Sequence, residues 1–224
     1  MIDTQPGAPR SVFTSELVEL HDTVLRMGTF VMSMLERGLQ ALVEQNLELA
    51  EEVRRSDDVA DALDIGIEEA ALRLLALQHP MASDLRCVAG AIRIAADLER
   101  VGDYSKDIAK VARRLHAEPY HWALEDIPLM GRRTHEMIRM ALRSFVERDL
   151  ELARQVAEMD REVDSLWRTV RDQLIGHMRD DPGNVFQGTH LLLAARYLER
   201  IGDHTVNVVE RVSYMETGRL EHLV

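Results

Sequence analysis

The chain is written twice. Leu47-Glu48-Leu49-Ala50-Glu51-Glu52-Val53 returns as Leu150-Glu151-Leu152-Ala153-Arg154-Gln155-Val156, an offset of 103 residues. Leu98-Glu99-Arg100-Val101-Gly102-Asp103 returns as Leu198-Glu199-Arg200-Ile201-Gly202-Asp203, an offset of 100. Duplication is the economical explanation, so the fold must be a unit of about 100 residues that packs twice. The three-residue difference between the offsets is an indel between the two motifs, placed most cheaply in the turn joining the second and third helices of a copy.

Apolar residues recur at helical spacing almost throughout, and no alternating β-branched run bounded by turn residues stands out. The chain is therefore read as all-α. It holds 12 Gly and 6 Pro in 224 residues, where average usage of roughly 12% gives about 27, so its elements should be few and long. Asn46 and Asp149 precede the Leu-Glu-Leu-Ala runs as N-caps do. Gln78-His79-Pro80-Met81-Ala82-Ser83 is a break with Ser83 as its cap, and Arg179-Asp180-Asp181-Pro182-Gly183-Asn184 is another, where Asn184 and Gln187 have capping-box spacing. Ala117-Glu118-Pro119-Tyr120-His121-Trp122 divides the chain, and Pro128 suits the first turn of a new helix. The expected architecture is a tandem duplication of a three-helix bundle, six long antiparallel helices in all. Residues 1–13 and 218–224 are read as tails, 14–116 and 127–217 as the bundles and 117–126 as the linker.

Carboxylates then fall into a pattern. Glu99, Asp103 and Asp107 are spaced i, i+4, i+8 and stack along one face of the third helix; the second copy has Glu199, Asp203 and Asn207. The preceding helix of each copy carries a pair, Asp57 with Asp61 and Asp160 with Asp164. An antiparallel hairpin sets Asp57 and Asp61 opposite residues 104 and 100, and Asp160 and Asp164 opposite residues 204 and 200. Four or five carboxylates at one level of two helices repel unless protonated or bridged by cations. At about 100° per residue Glu99 and Asp103 lie within about 20° of Ile92, on a stripe that starts apolar and ends acidic. Gly102 and Gly202 sit among the acids in mid-helix, at a cost of about 1 kcal/mol against alanine. A missing Cβ there lets a helix, a hydrated ion or a ligand approach.

Oxygen donors select hard ions (Fe, Mn, Mg or Ca) over a structural zinc. His204 is matched by Tyr104 in the other copy and reads as a surface histidine. The only Glu-x-x-His spacing, Glu118 to His121, lies in the linker, which argues against a ferritin-like di-iron oxidase. No phosphate-cradling Gly loop, nucleophile elbow or His-Glu-x-x-His motif is present. The formal net charge of −12 argues against a nucleic-acid binder. Of 27 basic residues only Lys106 and Lys110 are lysines. The single Cys87 excludes an internal disulfide framework and fits a reducing compartment, and no apolar run approaches the ~20 residues needed to span a bilayer. A soluble cytoplasmic protein without direct membrane insertion is expected. A hard-metal-dependent phosphoester hydrolase and a metal-free helical adaptor remain as alternative readings.

The break Leu75-Ala76-Leu77-Gln78-His79-Pro80-Met81-Ala82-Ser83-Asp84-Leu85-Arg86, the run Asp97-Leu98-Glu99-Arg100-Val101-Gly102-Asp103 and its echo Tyr197-Leu198-Glu199-Arg200-Ile201-Gly202-Asp203-His204 resemble the PhoU family of phosphate-signalling proteins. The resemblance runs from about residue 14 to residue 216. It implies metal clusters on Glu/Asp-x-x-x-Asp motifs, met here by Glu99 with Asp103, Asp103 with Asp107, Asp57 with Asp61, Asp160 with Asp164, and Glu199 with Asp203. Asn207 departs from that pattern, which implies weaker binding or fewer ions in the second copy. Members of the family are non-enzymatic negative regulators that connect the ATPase subunit of a phosphate ABC transporter with a sensor histidine kinase. The resemblance further implies a homodimer, cytoplasmic and peripheral to the membrane through its partners.

Overall fold

The computed structural model describes residues 8–78, 80–122, 124–220 and 222–223. Six helices make up the described chain: α1 (Ala8–Glu44), α2 (Leu47–Gln78), α3 (Ser83–Leu115), α4 (Asp126–Glu147), α5 (Leu150–Asp180) and α6 (Val185–Thr217), with a 3-10 turn at Pro182–Asn184 before the last. No strand occurs among the described residues, as the all-α reading requires. α1 reaches back to Ala8, into the segment read as a tail; residues 1–7 of that segment and His79 of the second turn lie outside the described residues.

Helices α1, α2 and α3 pack on one another, as do α4, α5 and α6, and the two groups meet most extensively along α3 and α6 and again along α1 and α4. One apolar core continues through both, with Leu35, Ile94 and Ile108 from one group and Met137, Leu191 and Ile201 from the other almost fully buried. Gly28 has no room for a Cβ because Leu142 fills the space, and Gly131 is filled in the same way by Leu39. These contacts are one contact with the copies exchanged, since 28 and 131, like 39 and 142, are 103 apart. Such exchange is what a two-fold relation demands.

Caps set the helix ends only in part as expected. Asn46 accepts from the Leu49 amide at 3.0 Å, and Asp149 accepts from Glu151 and Leu152. Ser83 is instead the first helical residue; Ala82 precedes it at φ 48° with no side-chain cap. Asn184 does not form the expected capping box. Its amide nitrogen donates to the His177 carbonyl, while Gln187 donates to the Pro119 carbonyl and accepts from the His121 amide. The segment between the bundles is thereby strapped down, further held by Tyr120 donating to the Leu42 carbonyl and by Trp122 stacked 4.6 Å from His177.

Hairpin geometry positions the acids. Gly102 lies against α2, where a Cβ would meet that of Ala60 at 3.5 Å, and Gly202 lies against α5, where a Cβ would meet Asp160 Oδ1 at 2.7 Å and Val163 Cγ1 at 3.7 Å. Residues 60 and 102, and 160 and 202, therefore face each other close to the register read from the turns.

Candidate metal centre

In the first copy α2 contributes Asp57 and α3 contributes Glu99 and Asp103 to one level of the hairpin. Lys106 stands between them, paired with Asp57 on the facing helix and with Asp103 at 2.8 Å. Arg100 approaches from outside, 3.3 Å from Glu99 and 3.0 Å from Asp103. Burial, the charge of Asp103 and a hydrogen bond shared with it raise Glu99 to about 7. Burial also pushes Asp103 upward, but the hydrogen bond and charge of Lys106 outweigh it and leave Asp103 below the ordinary carboxylate value. A further acid, Asp64, acts on Glu99 from α2 and is itself raised by burial and by Glu68 and Asp61. Sequence reasoning missed Asp64. Asp61 is exposed, and Asp107, one turn beyond the cluster, pairs with Lys110 at 2.7 Å.

The second copy uses the same positions differently. Asp160 is only 6% exposed, and its charged neighbours are the carboxylates of Asp203, Asp164 and Glu199. Burial and those charges raise it to about 7. Glu199 is 8% exposed; Arg196, lying over the Trp167 ring, takes one of its oxygens. The other, Oε2, is buried with no hydrogen-bond partner among the described residues, Arg200 Nε standing 3.9 Å away. Burial and Asp203 raise Glu199 as well. Asp203 pairs with Arg200 at 3.1 Å, and Asp164 with Arg168 at 3.4 Å.

Asn207 is placed elsewhere. Its amide donates at 3.0 Å to Asp97 of α3, whose same oxygen lies 2.9 Å from His204 Nδ1. His204 is thus half-buried against the other bundle, tilted over Tyr104 at 5.7 Å, which stacks in turn on Tyr197 at 5.8 Å. The structure therefore brings together Asp57, Glu99 and Asp103 in one hairpin and Asp160, Asp164, Glu199 and Asp203 in the other. It sets Asp61, Asp107 and Asn207 apart from them.

Among the described residues no three such side chains already converge on one ion-sized point, because Lys106 and the arginines hold several of the carboxylates. The donor chemistry still fits a hard cation. All the donors are carboxylates, one buried oxygen has no hydrogen-bond partner, and Asp160 lies over the glycine whose Cβ would displace it.

The PhoU domain family matches residues 24–112 and 127–212, once in each bundle. The chain belongs to the PhoU family. A PhoU homologue from Clostridium acetobutylicum, called a phosphate-specific transport system accessory protein, is 39% identical over 94% of this chain and 96% of its own length. One of the same description from Aquifex aeolicus is 38% identical over 92% and 93%. Among solved structures, PhoU of Pseudomonas aeruginosa superposes with a TM-score of 0.90 at 33% identity, covering 92% of this chain and all of that one. The phosphate transport system regulatory protein PhoU of Streptococcus pneumoniae gives 0.88 at 32% identity, covering 93% and 99%. Both PhoU domains carry their acidic hairpin inside the matched segments. No helix among the described residues is long and apolar enough to cross a membrane.

Proposed function

We propose that this chain is a metal-binding regulator of phosphate uptake. When phosphate is ample it connects the ATPase subunit of a phosphate ABC transporter with a sensor histidine kinase and holds the starvation response off. It acts without catalysis, as a cytoplasmic homodimer that reaches the membrane through its partners. The relatives' names support the phosphate-transport half of this reading, since they are accessory and regulatory proteins of that system.

The metal half is carried by one observation, the buried Glu199 oxygen without a hydrogen-bond partner among the described residues, in a hairpin where the charges acting on the buried Asp160 are all carboxylates. Leaving a buried acceptor unsatisfied costs about 1–3 kcal/mol, and a cation would remove that cost. Asp160, Glu199 and Asp203, with Asp164 at the edge, would hold Fe, Mn, Mg or Ca through oxygen. The bound ion would supply charge that ties α5 to α6. Asp57, Glu99 and Asp103 offer a second set of oxygen donors between α2 and α3, with Lys106 paired to two of them. A regulator transmits only what changes its partner affinity, and a hairpin that is drawn together when loaded offers partners two different helical surfaces.

The test is co-purification from cells grown in ample and in limiting phosphate, with metal content measured on the same sample. The wild type should carry metal and recover both partners when phosphate is ample, and Asp160→Asn with Glu199→Gln should lose metal and regulation together. Intact regulation in a variant stripped of its metal would overturn the proposal.

A further inference from the structure

Both lysines of the chain lie on α3, although every other basic residue is an arginine. Lys106 is the one inside the hairpin. Its ammonium joins Asp57 on α2 to Asp103 on α3, with the side chain about four-fifths buried. An ammonium is a compact point charge on a flexible stem, whereas a guanidinium is a wide planar fork. The compact ammonium takes a place between the two helices that a small cation could otherwise fill. Burial alone would lower the Lys106 pKa, but the hydrogen bonds and charges of Asp103 and Asp57 hold it above the ordinary lysine value.

Among the described residues the second copy has no lysine bridging its two acidic helices. The position 100 residues on is Val206, buried and apolar, and the counterpart of Lys110 is Glu210. Arg196 and Arg200 reach Glu199, but no cation is among the groups that act on Asp160. Trp167 stands 103 residues after Asp64, so the second cluster also lacks that acid. One hairpin thus carries its own counter-charge, and the other leaves a buried carboxylate oxygen without a hydrogen bond.

We propose that Lys106 is a built-in counter-cation occupying the first acidic cluster, so that hard metal ions load the second cluster, on α5 and α6, ahead of the first. This rests on the metal-binding reading given above and reverses the order that Asn207 suggested. The duplicated chain then has two unlike hairpins. The first is braced by the protein itself at all times, and the second is braced only when metal is present, so metal availability is read by one half of the molecule.

The experiment titrates Mn²⁺ into the chelator-stripped full chain and follows free Mn²⁺ by its electron paramagnetic resonance signal. Tight uptake by the wild type should be lost in Asp160→Asn. Lys106→Met should add further uptake at the first cluster, tightened about tenfold or more by removal of the opposing charge, and Asp57→Asn should abolish that gain. Lys106→Gln, which keeps a polar group without charge, should behave like Lys106→Met, and circular dichroism confirms that each variant is folded. Wild-type uptake that survives Asp160→Asn would overturn the proposal. So would a titration that both folded Lys106 variants leave unchanged. In those cases metal binding itself still stands. Absence of Mn²⁺ uptake in every variant would remove the metal reading, and this proposal with it.

Discussion

Burying an acid inverts the usual effect of pH on stability. Asp160 is raised from 3.8 to about 7 and Glu99 from 4.5 to about 7, by burial first and neighbouring carboxylates second. The folded chain therefore keeps protons that the unfolded chain releases between about pH 4 and pH 7. Stability from these two groups is full below the unfolded pKa and falls as pH rises through that window, by at most about 1.4 kcal/mol per pH unit for each group. Asp103, which is lowered, acts only below it. Metal-free protein should lose melting temperature between about pH 4 and pH 7, and Asp160→Asn should flatten its share of the loss and stabilise the metal-free chain near neutrality. An unchanged slope in thermal denaturation of Asp160→Asn would show that Asp160 does not carry the penalty. The two glycines make a second test at this scale. A Cβ at residue 202 would meet Asp160 Oδ1 at 2.7 Å, whereas at residue 102 it would meet Val31 Cγ1 at 3.3 Å. Gly202→Ala should displace the carboxylate and weaken Mn²⁺ uptake. Gly102→Ala should leave uptake unchanged and alter stability by no more than about 1 kcal/mol, since helix propensity gains about what the crowding loses. Equal loss of uptake in both variants would contradict the placement of Asp160.

At the scale of the element, the acids of the third helix in each copy do not stay on one side. Residues at i, i+4, i+8 advance about 40° per step, so the third member of each set rotates out of the hairpin. On α6 that step delivers Asn207 to Asp97 of the other bundle. Asn207→Asp would complete the acidic pattern in sequence, yet it should destabilise the α3–α6 seam by setting a second carboxylate against Asp97 and should add no metal; a rise in Mn²⁺ uptake would refute this. The hairpin register was legible, because short turns leave antiparallel helices little freedom and Ala60 does face Gly102. The rotation of α2 and α5 about their own axes was harder to read, although a signal existed. On α2, Asp64 lies about 40° from the buried Ala60 and Asp61 about 100° from it, so the core side of the helix favours Asp64. Lys106 was overlooked as a member of the cluster for a different reason. At i+3 from Asp103 it looks like an ordinary surface pair, and only the facing position of Asp57 turns it inward.

For the whole molecule, duplication made the architecture readable while hiding the inequality of the copies. Repeated motifs predict two equal sites, but Lys106 opposite Val206 and Asp64 opposite Trp167 are single-residue differences with opposite electrostatic effects. The net charge of −12 is likewise a property with an address. Much of it lies on the facing acids of two hairpins, and metal bound there would reduce it; native electrophoresis should show slower migration toward the anode without chelator than with it. Anomalous diffraction at the manganese edge from crystals of the Mn²⁺-loaded protein would locate the ions. A peak is expected between α5 and α6 within bonding distance of Asp160, Glu199 and Asp203, stronger than any between α2 and α3. Fully loaded crystals with no peak at either hairpin would contradict that expectation.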